Sequence, residues 1–259
     1  MTLHRILPAA ALAAAFALAT APAHADLKKG WIDYTHGSMK LKGYVVHDDK
    51  LAGKRPAILI IHARDGMTAK NQQLADAWAK LGYVTFVADI FGYGQGILPK
   101  GVPEMSAQTA IYTNDVPLMR ARTRAGYDAL LKHPLVDGAK VASIGYCFGG
   151  AVGAEFATTG VPLALHVAIH GSFRGHQPGW AKTVKGRYLI LHGSEDKGYP
   201  IKTIAGVVDE LRAASVPFQL ELYSGTGHGF SAPKNKDEER ANKQSIASTG
   251  RALKEVFGL

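Results

Sequence analysis

The chain has 259 residues, 47% of them hydrophobic and 20% charged, which suits one ordinary globular domain with a substantial core. Its formal net charge of +9 is spread along the chain with no aromatic-interleaved basic stripe, which argues against a nucleic-acid partner while leaving a field that could recruit small anions. A single cysteine, Cys147, excludes an internal disulfide.

The first residues have the pattern of a cleavable export signal. Arg5 precedes an Ala/Leu-rich run, and Ala23-His24-Ala25 is the small-x-small pattern cut by a signal peptidase. A membrane span needs about 20 strongly apolar residues. This run is alanine-rich and interrupted by Pro8 and Pro22. The expectation is a leader over residues 1–25 and a mature single domain over 26–259. That domain would be periplasmic or secreted, with no membrane attachment after cleavage.

Apolar runs then alternate with helical patterns. Residues 40–47 (KLKGYVVH) predict an early strand, and residues 57–62 (AILIIH) a fully buried one. Leu74, Ala77, Trp78 and Leu81 predict a helix over 70–81 that stops at Gly82. Residues 83–89 predict a strand, 114–132 a helix and 140–146 a strand that runs directly into a helix over 148–158. Strands follow at 163–170 and 187–192. A helix over 201–214 begins after Pro200. The last strand is 218–223, and a terminal helix covers 235–257. Residues 92–114 are rich in Gly, Pro and polar side chains, and predict a long irregular connection forming a rim or partial lid. Strand–helix alternation means mostly parallel strands with crossover helices on both faces, an α/β fold whose functional loops lie at the carboxyl ends of the strands.

Cys147 occupies one of those ends. Gly145-Tyr146-Cys147-Phe148-Gly149 fits the nucleophile-elbow template G-x-[Ser/Cys]-x-G at a strand-to-helix junction. Side chains two residues to either side of the nucleophile would collide in so sharp a turn. A thiol at a helix N-terminus is biased towards thiolate, and a histidine oriented by an acid completes its activation. The chain order in this architecture is nucleophile, acid, histidine. HGSEDKGYP offers Asp196 and GTGHGF offers His228 in that order. Glu195 and Asp89 compete as acids, and His62, His170 and His192 as histidines. His166 and His170 share one strand and suggest a metal, but no Cys or acid joins them.

Together GYCFGG, HGSEDKGYP and GTGHGF resemble the dienelactone hydrolase family of α/β-hydrolases, from about residue 40 to the C-terminus. The resemblance implies an α/β-hydrolase fold with Cys147 as nucleophile, His228 as base and Asp196 as its orienter. It implies an oxyanion hole from the backbone N–H groups of Phe148 and Arg64. The substrate would be a small-molecule ester or lactone, and no metal or organic cofactor is required. A monomer is the default expectation. The sequence also departs from the family. Ala63 stands where many relatives have a glutamate touching the resting cysteine, with Arg64 and Asp65 as the candidates to replace its role. Two segments, 89–93 and 229–232, lack the arginines that clamp a substrate carboxylate in dienelactone-cleaving members. Tyr93 and Phe230, in those segments, are the candidate substrate contacts.

The predicted reaction is hydrolysis through a thioacyl enzyme. A second reading is a non-catalytic protein that keeps the fold and binds a small ligand, motivated by the missing glutamate and arginines. A third, a redox-active thiol, wants a resolving cysteine that this chain lacks.

Overall fold

The computed structural model describes residues 25–173 and 178–259, so the expected leader lies outside the described residues except for Ala25. Thirteen residues after that boundary the chain has already made a hairpin: β1 (Leu27–His36) turns at Gly37-Ser38 into β2 (Met39–Asp48). Strand β1 was not anticipated from the sequence. Its exposure alternates residue by residue, with Gly30, Ile32, Tyr34 and His36 turned inward, as expected for a sheet edge that is half solvated.

The remaining elements follow the expected alternation. They are β3 (Arg55–Ile61), α1 (Ala69–Ala79), β4 (Val84–Ala88), α2 (Gly101–Asn114), α3 (Val116–Leu131) and β5 (Val136–Tyr146). Then come α4 (Phe148–Ala157), β6 (Leu165–Ile169), β7 (Arg187–Gly193), α5 (Ile201–Ala213), β8 (Phe218–Tyr223) and α6 (Lys236–Phe257). Among the described residues the strands form one eight-stranded sheet in the order β1-β2-β4-β3-β5-β6-β7-β8. Strands β3 to β8 run parallel, and β1 and β2 pair antiparallel at one edge.

The central strands read as continuous apolar runs because both their faces are covered. Along β3, Leu59 and Ile61 join one core with Met119 and Tyr127 of α3, Phe156 of α4 and Leu211 of α5. Ile58 and Ile60 join the other, with Trp78 of α1 and Leu253 and Phe257 of α6. One step along the strand changes the layer, which is the period of two of a β-strand.

The structure corrects the reading of residues 92–114. After a short 3-10 turn at Tyr93–Gln95 the segment forms the helix α2. Pro103 lies in its first turn, where a missing N–H costs nothing. The expected single helix over 114–132 is α3 alone. It is separated from α2 at Asp115, whose side chain caps α3 by accepting the Leu118 N–H, with Pro117 in the first turn.

Candidate active site

Strand β5 delivers Cys147 in a conformation that few side chains adopt, φ 52° and ψ −117°. The turn is held by bonds from Cys147 N–H to the Ile169 carbonyl and from Gly150 N–H to the Cys147 carbonyl. Strained backbone of this kind persists only where surrounding structure enforces it. Both motif glycines are needed for contact. A Cβ on Gly145 would overlap the Gly149 backbone, and one on Gly149 would overlap the Ile61 carbonyl at the end of β3. That second approach presses the first turn of α4 against β3, so Ala63 and Arg64 of the following loop border the same cavity as Cys147.

The three side chains singled out from sequence meet there. Cys147 Sγ lies 3.0 Å from His228 Nε2, and His228 Nδ1 lies 2.7 Å from Asp196 Oδ2. Asp196 is 2% exposed, and its other oxygen accepts the N–H groups of Gly198 and Tyr199, each at 3.0 Å. The loops carrying the acid and the histidine are stitched together by Glu195 N–H donating to the Thr226 carbonyl. With Asp196 as acceptor, Nδ1 of His228 carries a proton and Nε2 is aimed at the sulfur.

Electrostatics favour an ion pair. Burial pushes the Cys147 thiol up, but the hydrogen bond and charge of His228, a contact from Ser172 and the Phe148 backbone N–H together bring it below the ordinary thiol value. Burial pushes His228 down, but Cys147 and Asp196 outweigh it and raise the imidazolium to about 9. Each member stabilises the charged form of the other.

The competing residues have other work. Asp89 accepts the backbone N–H groups of Lys42, Gly92, Tyr93 and Gly94, and so holds the turn after β4. His62 bridges the Ala63 carbonyl and the Ile90 N–H. His192 donates to the Tyr199 carbonyl, with its ring 3.8 Å from Asp196. His166 is engaged by Ser143 and the Gly150 carbonyl, and His170 by Ser231, so the pair is not disposed as metal ligands. Among the described residues no group of three or more His, Cys, Asp or Glu could hold a metal ion.

The site opens into a cavity of about 970 Å³. Helix α2 contributes Met105, Ser106, Thr109 and Thr113 to its wall, so the segment expected to form a rim does so as a helix. Phe148 and Arg64 border it as expected. The two proposed substrate contacts do not. Tyr93 stacks on Trp31 with ring centroids 5.4 Å apart, on the hairpin side. Phe230 is fully buried, edge-on to His170 and Tyr223. The sequence reading also passed over Ser172, whose hydroxyl lies 3.6 Å from the Cys147 sulfur. Its signal was position: it follows His170-Gly171, already recognised as a strand end.

A parallel sheet of this order, with a cysteine elbow after β5, an acid after β7 and a histidine after β8, defines an α/β-hydrolase. The dienelactone hydrolase family profile matches residues 41–258, and the chain belongs to that family. It is an ester- and lactone-hydrolase of the dienelactone hydrolase type. It is 26% identical to a carboxymethylenebutenolidase homolog of Rattus norvegicus over 217 residues, 82% of this chain and 85% of the relative. A Bradyrhizobium protein described as a probable 2-oxo-3-(5-oxofuran-2-ylidene)propanoate lactonase is 23% identical over 77% of this chain and 83% of its own. Among solved structures, a dienelactone hydrolase-like promiscuous phosphotriesterase from metagenomic libraries matches with a TM-score of 0.83 and 28% identity. That match covers 89% of this chain and 98% of the other.

Proposed function

We propose that the protein hydrolyses a small carboxylic ester or lactone through a thioacyl-enzyme intermediate. The Cys147 thiolate attacks the carbonyl carbon, and the C=O electron pair moves to oxygen. The N–H groups of Phe148 and Arg64 receive that oxyanion; one such donor is typically worth roughly 3 kcal/mol. The intermediate collapses, and His228 gives its Nε2 proton to the departing alkoxide. Now neutral, His228 takes a proton from water, which attacks the thioester and releases the acid and the thiolate. Asp196 keeps the imidazole in the required tautomer throughout.

The observation that carries this reading is the unbroken line of contacts from Cys147 Sγ through His228 to Asp196 at the mouth of a cavity. The names of the relatives favour a lactone. The missing arginines argue against a dienelactone carboxylate held in the family's manner, whereas Arg64, Lys70 and Lys234 give the cavity a different cationic border. We also propose that residues 1–25 are removed on export. The backbone N of Asp26 lies 3.0 Å from Asp48 Oδ1, so an ammonium created there would find a carboxylate waiting. N-terminal sequencing of the protein from a periplasmic or culture fraction should begin at Asp26.

The deciding experiment screens the purified protein over small esters, lactones and a phosphotriester, with Cys147→Ala beside it. Turnover of the best substrate should fall by roughly 10³-fold or more in the variant. Full retention of activity would remove the thioacyl mechanism.

A further inference from the structure

The thioacyl mechanism leaves unused a second polar side chain that reaches the Cys147 sulfur beside His228. Ser172 follows β6, and its backbone N–H donates to the Cys147 carbonyl at 3.0 Å. That bond fixes Ser172 to the elbow itself, so its hydroxyl stays beside the sulfur at 3.6 Å. A Cβ on Gly150 would come within 2.7 Å of Gly171 Cα, so this close seating needs the third glycine of GYCFGG. We propose that Ser172 donates its hydroxyl hydrogen to the Cys147 sulfur and holds it as a thiolate in the resting enzyme, before any substrate binds.

The assignment fixes the direction of both hydrogen bonds to the sulfur. A thiolate has no hydrogen to give, so both His228 Nε2–H and Ser172 Oγ–H must point at it. Among the described residues, the Cys147 sulfur is the partner found for the Ser172 hydroxyl. In the loop after β3, residue 63, which borders the same cavity as Cys147, is an alanine. A carboxylate beside sulfur opposes a second negative charge, whereas a methyl group does not, and a hydroxyl donor favours it. Ala63 adds no charge there, and the Ser172 hydroxyl supplies a donor that sustains the thiolate. The lowered thiol agrees with this, since Ser172 is one of its causes.

The same donor acts again late in the cycle. When water has added to the thioester, the C–S bond breaks and its electron pair returns to sulfur. Ser172 Oγ–H is then placed to receive the departing thiolate while His228 holds the proton taken from water. Ser172 therefore affects deacylation as well as attack.

This rests on the thioacyl reading, but the test separates the two. The pH dependence of Cys147 alkylation by iodoacetamide, followed by mass spectrometry, and thiolate absorbance at 240 nm are measured without substrate. They apply to the intact protein and to Ser172→Ala and Ser172→Thr. The alanine variant should shift the alkylation midpoint upward by about one pH unit, with alkylation roughly tenfold slower below that midpoint. Threonine, which keeps the hydroxyl, should restore most of it. Single-turnover deacylation should slow in the alanine variant. An unchanged alkylation profile in Ser172→Ala would overturn the proposal. If that variant does not fold, the intact protein decides: absence of thiolate absorbance at neutral pH overturns it, and its presence together with a normal Ser172→Thr profile supports it. Retained ester turnover in Cys147→Ala would sink the thioacyl reading and leave the alkylation result standing.

Discussion

In the proposed mechanism His228 has to hold a proton when the alcohol leaves and lack one when water attacks. Raised to about 9, it supplies the first condition over most of the working range, and it meets the second by having just given the proton away. For an unactivated alkyl ester, kcat/KM should therefore fall on an alkaline limb near pH 9. A nitrophenyl ester, whose leaving group needs no proton, should show that limb weakly. An alkaline limb near pH 7 would show that the imidazolium is not held by the thiolate and Asp196. Asp196→Asn would replace a buried acceptor of three hydrogen bonds with a group that cannot balance the imidazolium. Its kcat should fall by about 10²- to 10⁴-fold with the fold intact by circular dichroism. The residues of this chain of contacts were legible in the sequence because each follows a strand and the elbow has a steric signature in Gly145 and Gly149. Tyr93 and Phe230 were misplaced because a position in a loop does not reveal which way its side chain faces. Both rings found partners, Trp31 for one and His170 and Tyr223 for the other, that sequence proximity could not show.

Helix α4 brings its N-terminus to the sulfur only because Gly149 lets it touch β3. A methyl group there would strike backbone, which cannot move aside as a flexible side chain can. Gly149→Ala should cost about 2–3 kcal/mol of stability, lower Tm by roughly 5–10 °C, and reduce activity further by displacing the Phe148 N–H. A variant with unaltered melting and turnover would mean that the approach is looser than it looks. Helix α2 is the opposite case, an element the sequence concealed. Only Tyr112 of its residues is buried, since its inner face borders a cavity rather than a core. No apolar stripe was required, so no helical period was written. The same fact makes its face a place to alter substrate range. Thr109→Trp should raise KM for bulky esters several-fold and leave small acetyl esters nearly unchanged. Strand β1 was missed for a related reason: it has one wet face, so only alternate residues turn inward and no long apolar run forms.

Taken over the whole molecule, histidines set the response to acid. His166 is fully enclosed, donates to the Gly150 carbonyl and accepts from Ser143, and burial lowers it to about 4. His170 is lowered to about 3, first by burial and then by the charge of His228. His62 and His192 are lowered as well, chiefly by burial. A histidine lowered in the fold but ordinary when unfolded, near 6.5, favours the folded state fully above that pH. The advantage is lost as pH falls from about 6.5 towards the folded value, because the unfolded chain binds protons that the fold refuses. For His166 alone the loss is on the order of 3 kcal/mol across that window. In the Cys147–His228 pair the shifts oppose one another, the thiol lowered and the imidazole raised, so their effects on proton uptake offset each other in the neutral range. Unfolding free energy from urea titrations should therefore be nearly flat from pH 7 to 8 and fall steeply from pH 6 to 4.5. His166→Gln, which keeps hydrogen-bonding capacity without a titratable ring, should flatten that fall even if it lowers stability at pH 7. A fall that begins only below pH 4.5, where carboxylates protonate, would show that the buried imidazoles accept protons in place and that the interior of this sheet is wetter than its packing indicates.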